Sequence, residues 1–174
     1  MTNEPTEAPG ERALTKEEQK RLRQEAETPP DFFEAVCGRF GPRDIDVCAT
    51  EANRKCTCYL GPQDDGLTHR WFYEQTCERH AWCNPPFRDV RPWLAKAHAE
   101  TQALPGSTAL VLVPSDSSTN WWEAYTPLAF VLLLKPRIQF IAPPGLTYST
   151  NSGKQALFVF GTGVQNIIQN WTWK

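Results

Sequence analysis

The chain has 174 residues, of which 40% are hydrophobic and 22% charged, and its net charge at pH 7 is −2. That length suits one domain with a sizeable core, and no apolar run is long enough to cross a bilayer as a helix. The first 30 residues have no apolar stretch of the kind a signal peptide needs, so we expect a cytoplasmic protein whose six cysteines are reduced thiols.

The N-terminal segment is polar and is predicted to lie outside the folded domain. Residues 1–10 have too few apolar side chains to fold. Residues 15–27 predict a polar helix, in which Thr15 and Glu18 have the spacing of a capping box. Because prolines cannot continue a helix, the helix ends at residues 28–30. We therefore predict a flexible tail over residues 1–27 and one domain over residues 28–174.

The domain is predicted to alternate strands with helices. The predicted elements are a helix over residues 31–39, strands over 44–48, 57–60 and 80–83, a helix over 88–103, a strand over 108–113, a short helix from 121, and strands over 128–134, 137–141 and 155–160. Asp31 is the predicted N-cap of the first helix. Such alternation predicts an α/β domain with a mainly parallel sheet and helices on both faces.

Two strand ends carry unusual residues. The first strand runs into Asp46-Val47-Cys48-Ala49, and the strand over residues 80–83 runs into Asn84-Pro85-Pro86-Phe87. In parallel sheets, ligands bind at the carboxyl ends of the strands. We therefore expect these two segments to form the functional site.

The Asn84-Pro85-Pro86-Phe87 segment suits a planar amine. Both Asn84 and Pro85 precede a proline and are held extended, so the Asn84 amide oxygen and the Pro85 carbonyl can accept both hydrogens of an exocyclic amine. Phe87 offers a stacking face, and a base inside a duplex would have to be flipped out to reach it. The alternative is a plain strand-to-helix turn built from prolines and an Asn cap.

Charge along the chain is uneven. No acidic residue follows Glu123, whereas Lys135, Arg137, Lys154 and Lys174 are basic. A locally positive C-terminal third is compatible with DNA phosphates, although a chance gap in acidic residues explains the pattern equally well.

The chain resembles the phage-type DNA N-6-adenine methyltransferases, an S-adenosylmethionine-dependent family related to Dam enzymes. The matching segments are Thr28-Pro29-Pro30 with Phe32-Phe33, Asp46-Val47-Cys48-Ala49 with Asn53, Asp65-Gly66-Leu67 with Trp71, Trp82-Cys83-Asn84-Pro85-Pro86-Phe87, Trp93 with Lys96-Ala97, Leu112-Val113-Pro114 with Thr119 and Trp121-Trp122, Arg137-Ile138-Gln139-Phe140, and Ser152-Gly153. The resemblance implies a Rossmann-like methyltransferase fold, S-adenosyl-L-methionine as the methyl donor and adenine N6 in DNA as the target.

Two departures from the family's pattern stand out. The family usually has tyrosine where this chain has Phe87, which keeps the stacking face and loses a hydroxyl. Many S-adenosylmethionine enzymes have a glycine-rich turn after the first strand, whereas here the turn is Cys48-Ala49-Thr50. The second departure weakens a cofactor site inferred from the general pattern alone.

The resemblance implies eight cofactor-binding residues. They are Thr28, Pro29, Pro30, Phe33, Asp46, Cys48, Ala49 and Asp65. The segment from Thr28 to Phe33 would line the methionine end of the cofactor, or would simply start a helix. Asp46 would hold an amino group or ribose hydroxyls, or would cap the following turn. Asp65 would accept from the adenosyl part, or would shape an Asp-Gly turn.

Four further residues are candidates for contact with the DNA. Ser115, Thr119 and Trp122 follow a strand end, and Arg137 could contact a phosphate or a base. The alternatives are a core position for Trp122 and a surface salt bridge for Arg137. We expect direct methyl transfer without a covalent enzyme intermediate, with the rate coming mainly from alignment.

Other functions remain open from the sequence alone. The amine could be cytosine N4 or a base in RNA. A non-catalytic module could instead bind zinc through Cys56, Cys58, Cys77, His80 and Cys83. The Cys-x-Cys spacing is tighter than usual for zinc and Cys83 falls within a predicted strand, so buried free thiols are the preferred interpretation and no metal is expected.

Overall fold

The structure is a computed structural model that describes residues 15, 17–18, 26–76, 79–143, 153–161, 163 and 166–174. Residues 1–10 and most of the predicted helix over residues 15–27 lie outside these ranges. Within them, Thr15 and Glu18 form the predicted capping box: the Thr15 N–H donates to the Glu18 carboxylate (2.8 Å), and the Glu18 N–H donates to Thr15 Oγ1 (3.2 Å).

The described part of the chain alternates strands and helices as predicted. In chain order the elements are α1 (Pro30–Phe40), β1 (Ile45–Asp46), β2 (Cys58–Tyr59), β3 (His80–Cys83), α2 (Arg91–Ala103), β4 (Thr108–Pro114), α3 (Asn120–Tyr125), a 3₁₀ turn (Thr126–Leu128), β5 (Phe130–Lys135), β6 (Gln155–Gly161) and β7 (Ile167–Thr172). The helix predicted from residue 88 begins at Arg91, because Pro86 and Asp89 form a turn first (Asp89 N–H to Pro86 O, 3.3 Å).

The described strands form one seven-stranded sheet in the order β2-β1-β3-β4-β6-β5-β7. The pairs β1–β2, β1–β3, β3–β4 and β5–β7 are parallel, and β6 runs antiparallel to β4 and β5. The prediction of a mainly parallel sheet is confirmed. The carboxyl ends of the parallel strands therefore share one edge of the sheet, together with the amino end of β6.

Apolar cores cover both faces of the sheet. Alternate residues of β4 enter different cores, because successive side chains of a strand point to opposite faces: Val111 lies in one core and Leu112 in the other. The first core contains Trp93 of α2 and Trp122 of α3, and the second contains Phe32 of α1. The prediction of helices on both faces is confirmed, and β4 is buried on both sides.

The start of α1 corrects the prediction for Asp31. The N-cap is Pro29, with φ −61° and ψ 142°, and Pro30 is the first helical residue. A residue before proline is held extended, while a proline has its φ preset for the first helical position, so the N-cap lies two residues earlier than predicted. Asp31 lies in the first turn, where its carboxylate accepts from the Phe32 N–H (2.9 Å).

In the C-terminal third, one predicted strand was wrong and one strand was missed. The strand predicted over residues 137–141 is irregular, and only Ile141 pairs, through an isolated bridge to Glu27. The apolar side chain that suggested a strand, Ile138, is instead buried, and its N–H donates to Gln155 Oε1 (3.1 Å). Strand β7 was not predicted. No helix in the described ranges has the length and hydropathy needed to span a bilayer.

Candidate active site

The sheet changes direction between β1 and β3. The chain passes from β1 outward to β2, then returns to β3 on the other side of β1 and continues to β4. Such a switch point leaves a crevice at the carboxyl ends of the two central strands. The Val47 N–H donates to the Trp82 carbonyl (2.9 Å) across this junction. The two segments singled out in the sequence therefore meet there.

Asp46 ends β1 with a buried carboxylate. Its Oδ1 accepts from the Cys48 N–H (3.3 Å) and its Oδ2 accepts from the Lys55 N–H (3.0 Å). Burial raises the pKa of Asp46 to about 6, and these two amide donors oppose that rise. Asp46 therefore caps the turn that follows, as one of the two interpretations proposed, and each oxygen retains a lone pair for a ligand.

Asn84 begins the segment that follows β3, and it is half-buried. Its Nδ2 donates to the Ala26 carbonyl (3.3 Å). Within the described residues, no donor is assigned to Asn84 Oδ1 or to the carbonyl of the buried Pro85. The two acceptors expected for a planar amine are thus present side by side along the chain.

Phe87 closes the segment after Pro86, and its ring is half-buried between the two cores. The ring of Phe140 meets it edge to face, with centroids 5.6 Å apart and an interplanar angle of 82°. Phe140 follows β5, so the irregular stretch over residues 137–141 brings an aromatic side chain back to Phe87. Phe140 therefore packs against the Phe87 ring and limits the room in which that ring can turn.

Residues 26–28 cross the same edge of the sheet. Glu27 exchanges two backbone hydrogen bonds with Ile141, both 3.0 Å. Its carboxylate pairs with Lys55 Nζ at 2.6 Å. Thr28 is 2% exposed, and its Oγ1 has no hydrogen-bond partner within the described ranges. Sequence reasoning found Thr28 but missed Ala26, Glu27 and Lys55, because nothing in the sequence links residues 28 positions apart.

The remaining predicted cofactor residues flank this crevice. Pro29 and Pro30 start α1, and the half-buried Phe33 packs edge to face on Trp82, with ring centroids 5.4 Å apart. Ala49 is buried and donates its N–H to the Leu60 carbonyl (3.2 Å). Burial raises the pKa of the Cys48 thiol to about 12, so this thiol stays neutral at physiological pH and is a poor nucleophile.

Asp65 lies in the loop that passes the end of β1. It is exposed, has φ 51°, and accepts from the Leu67 N–H (3.1 Å), which is the Asp-Gly turn proposed as one interpretation. The next residue, Gly66, lies so close to β1 that a Cβ there would be 2.1 Å from the Val47 carbonyl oxygen. Because Gly66 has no side chain, the loop can approach the residue after β1 closely, and Asp65 lies next to the carboxyl end of that strand.

The predicted DNA-contacting residues follow β4 and β5 at the same edge. The Ser115 N–H donates to the Lys154 carbonyl (2.8 Å), and Thr119 is the N-cap of α3, its Oγ1 donating to the Asp116 carbonyl (2.9 Å). Trp122 is 8% exposed and packs on Phe158, with ring centroids 5.3 Å apart. Arg137 is exposed. Trp122 thus has a packing role whether or not it also meets a ligand.

The possible zinc ligands do not converge in the part of the chain that can be described. Cys83 lies in the core that contains α2, whereas Cys56 lies in the core that contains α1, on the opposite face of the sheet. The described residues hold no group of three or more His, Cys, Asp or Glu side chains arranged to bind a metal, and Cys77 lies outside them.

Comparison with known proteins points to one family. A family model described as DNA N-6-adenine-methyltransferase (Dam) matches residues 15–169. A DNA N-6-adenine-methyltransferase of Haemophilus phage HP1 is 30% identical over 120 residues, which cover 67% of this chain and 66% of that protein. A DNA N-6-adenine-methyltransferase of Escherichia phage T1 is 30% identical over 95 residues, 55% of this chain and 37% of that protein. The chain spans less than two thirds of the length of each of these two relatives.

Proposed function

The chain belongs to the DNA N-6-adenine-methyltransferase (Dam) family, and from that premise we propose that it transfers a methyl group from S-adenosyl-L-methionine to N6 of adenine in DNA. The observation that carries this proposal is the pair of acceptors at the switch point, Asn84 Oδ1 and the Pro85 carbonyl. We also propose that the fold is of the Rossmann-like methyltransferase type, which the parallel β2-β1-β3-β4 half of the sheet supports.

The two acceptors suit the chemistry of an exocyclic amine. The lone pair of adenine N6 is delocalised into the ring, and accepting both amino hydrogens localises it on nitrogen. Asn84 Oδ1 and the Pro85 carbonyl are neutral acceptors, so they favour an amine over a cation. Proline supplies no N–H at positions 85 and 86 to compete for them. Held in this way, the amine is aligned for direct transfer, and alignment supplies much of the rate.

The residues at the crevice fit S-adenosyl-L-methionine, which supplies the methyl group when bound. A buried hydroxyl without a partner is costly unless a ligand satisfies it, and Thr28 Oγ1 is such a group within the described ranges. Thr28, Pro29, Pro30 and Phe33 would hold the methionine end. Asp46 and Asp65 would accept from its amino or hydroxyl groups, and Cys48 and Ala49 would form the wall between them.

Phe87 would stack the flipped adenine. Extruding a base from a duplex costs on the order of a few kcal/mol, and stacking on an aromatic ring returns about 1–3 kcal/mol of it. The edge-to-face contact with Phe140 supports this role, because a ring already held in place loses little entropy when the base arrives.

Exposed basic residues lie along the same edge as the acceptors. Arg88 follows Phe87, Arg137 follows β5, and Lys154 precedes β6. We propose that they contact DNA phosphates, with Ser115, Thr119 and Trp122 beside the flipped base. Phosphate contacts position a protein on DNA without reading its sequence.

A labelled methyl-transfer assay tests the proposed function. The protein is incubated with methyl-labelled S-adenosyl-L-methionine and duplexes that contain all four bases, and the DNA is digested to nucleosides. We expect the label in N6-methyl-2′-deoxyadenosine. Label in N4-methyl-2′-deoxycytidine would show that the acceptor pair binds the cytosine amine and would contradict the adenine target. No label in any nucleoside, together with no binding of S-adenosylhomocysteine, would refute the proposed methyl transfer altogether.

A further inference from the structure

We propose that residues 26–28 act as a strap, tied down by the Glu27–Lys55 ion pair, that sets which way the Asn84 amide faces. This inference rests on the proposed function, because it assigns to the strap the positioning of the amine acceptor. Ala26 and Glu27 contact no reacting atom and act through Asn84, whereas Thr28 would hold the methionine end of the cofactor.

The strap determines the orientation of the amide through one hydrogen bond. A backbone carbonyl can only accept, so the Ala26 carbonyl, 3.3 Å from the Asn84 side chain, selects its NH₂ group. Asn84 Oδ1 then faces the other way and is left to accept. An amide turned by half a rotation would present two N–H donors to the amino hydrogens of the substrate and would repel them.

The strap is itself held from both sides. On one side, Glu27 and Ile141 exchange two backbone hydrogen bonds of 3.0 Å. On the other, Lys55 Nζ lies 2.6 Å from Glu27 Oε1, and the Lys55 N–H donates to Asp46 Oδ2 at 3.0 Å. A continuous chain of contacts therefore runs from the end of β1, through Lys55, Glu27 and Ala26, to the residue after β3.

Burial makes the ion pair more effective than a surface pair. The Lys55 side chain is only 9% exposed and that of Glu27 is 32% exposed. Water screens such a pair less than an exposed one, and removing one partner leaves the other charge partly buried and unpaired. The pair therefore resists movement of the strap away from Asn84.

The experiment measures single-turnover methyl transfer to an adenine-containing duplex, with saturating S-adenosyl-L-methionine, for wild type, Glu27→Gln, Lys55→Met and the double variant. We expect each single change to slow transfer by roughly 10- to 100-fold, since small misplacements of an aligning group have effects of this size. The double variant should be no slower than the slower single variant, because both changes break one contact. Glu51→Gln, which alters an exposed ion pair with Arg54 (3.1 Å), should leave the rate unchanged.

Amide exchange of the Asn84 side chain, followed by NMR on the unliganded protein, separates this inference from the proposed function. Exchange should accelerate in Glu27→Gln and Lys55→Met and stay at the wild-type rate in Glu51→Gln. If wild type methylates DNA and both strap variants match it in rate and in exchange, the strap inference is wrong. If wild type methylates nothing but the exchange differs as expected, the strap positions Asn84 and the proposed function fails instead.

Discussion

At the scale of single residues, the Asp46 carboxylate accepts hydrogen bonds as a structural group, although its burial disfavours the charged form. Its carboxylate holds the turn after β1 through two amide donors, yet burial raises its pKa to about 6. An unfolded chain binds its aspartate proton with a pKa near 3.9. Between about pH 4 and about 6 the folded state therefore holds more protons than the unfolded state, and the contribution of Asp46 to stability falls as the pH rises.

The Asp46→Asn variant isolates that titration. The variant lacks the ionisable group, so we compare the free energy of unfolding of wild type with that of the variant. The difference, wild type minus variant, should decrease as the pH rises from about 4 to about 6 and should level off above about 7. Urea unfolding at a series of pH values measures both curves. A difference that stays constant across this range would contradict the burial assigned to Asp46.

Gly66 is required at its position because it has no side chain. In Gly66→Ala the added Cβ would lie 2.1 Å from the Val47 carbonyl oxygen and 3.1 Å from the Trp93 ring, so backbone must move. We expect a loss of about 1–3 kcal/mol in the free energy of unfolding, as for other overpacked sites.

Gly38→Ala is the matched control, because the same added atom meets nothing within 4 Å on the exposed face of α1. Alanine in a helix interior is better than glycine by roughly 0.5–1 kcal/mol, so this variant should be stabilised. Chemical denaturation of both proteins gives the comparison, and equal effects of the two substitutions would be evidence against the close approach at Gly66.

At the scale of elements, the long connection from β2 to β3 is tied to α2 by one acid. Glu100 of α2 is 8% exposed, accepts from the Trp71 N–H (3.0 Å) and pairs with Lys96 (2.6 Å). Trp71 in turn donates its ring N–H to the Gly66 carbonyl (2.6 Å). The position of the Asp65–Gly66 turn therefore depends on α2.

Glu100→Ala should leave the buried Trp71 N–H without an acceptor, at a cost of about 1–3 kcal/mol. Glu100→Gln keeps an amide oxygen for that N–H and should retain most of the stability. Hydrogen exchange at the Trp71 amide reports the local effect, with faster exchange expected in the alanine variant alone. Exchange at the wild-type rate in both variants would show that Glu100 does not hold this loop.

The strands whose bounds could be predicted most closely from the sequence are those with mostly buried side chains. Strand β3 was predicted with its observed bounds because an apolar stretch there stops at two prolines. Strand β7 was missed because it is an edge strand with most side chains exposed, including Ile167 and Ile168. Asp31 was wrongly predicted as the N-cap because the backbone preferences of Pro29 and Pro30, rather than a carboxylate, determine the first helical residue.

At the scale of the whole molecule, some residues of the candidate site could be predicted from the sequence and others could not. Asn84 and Asp46 could be located from the sequence, because Asp46 ends β1, Asn84 follows β3, and both strands end at one edge. The Glu27–Lys55 ion pair and the contact of Phe140 with Phe87 could not, since they join segments brought together only by the complete sheet. Their pairing depends on tertiary geometry that local patterns do not encode.

The distribution of charge around the sheet edge predicts a salt-dependent interaction with DNA. Lys154 is exposed beside Ser115, whereas Arg70 stacks on Tyr73 near Arg79, which precedes β3 at the opposite edge. Lys154→Gln should weaken binding and reduce the slope of log affinity against log salt by about 0.9, the value for one phosphate contact. Fluorescence anisotropy across a salt series measures this, and Arg70→Gln should match wild type. Identical slopes for all three proteins would remove Lys154 from the interface.

The central claim is that Asn84 Oδ1 accepts a hydrogen bond from the amine that receives the methyl group. The rate of methyl transfer by the Asn84→Ala variant tests this claim most directly. Single-turnover transfer from labelled S-adenosyl-L-methionine to adenine-containing DNA is compared with wild type, alongside calorimetric binding of S-adenosylhomocysteine. We predict that transfer falls by roughly 100-fold or more, as when other preorganised hydrogen-bonding groups are removed, while binding of S-adenosylhomocysteine is retained. Equal transfer by both proteins would contradict the role assigned to Asn84.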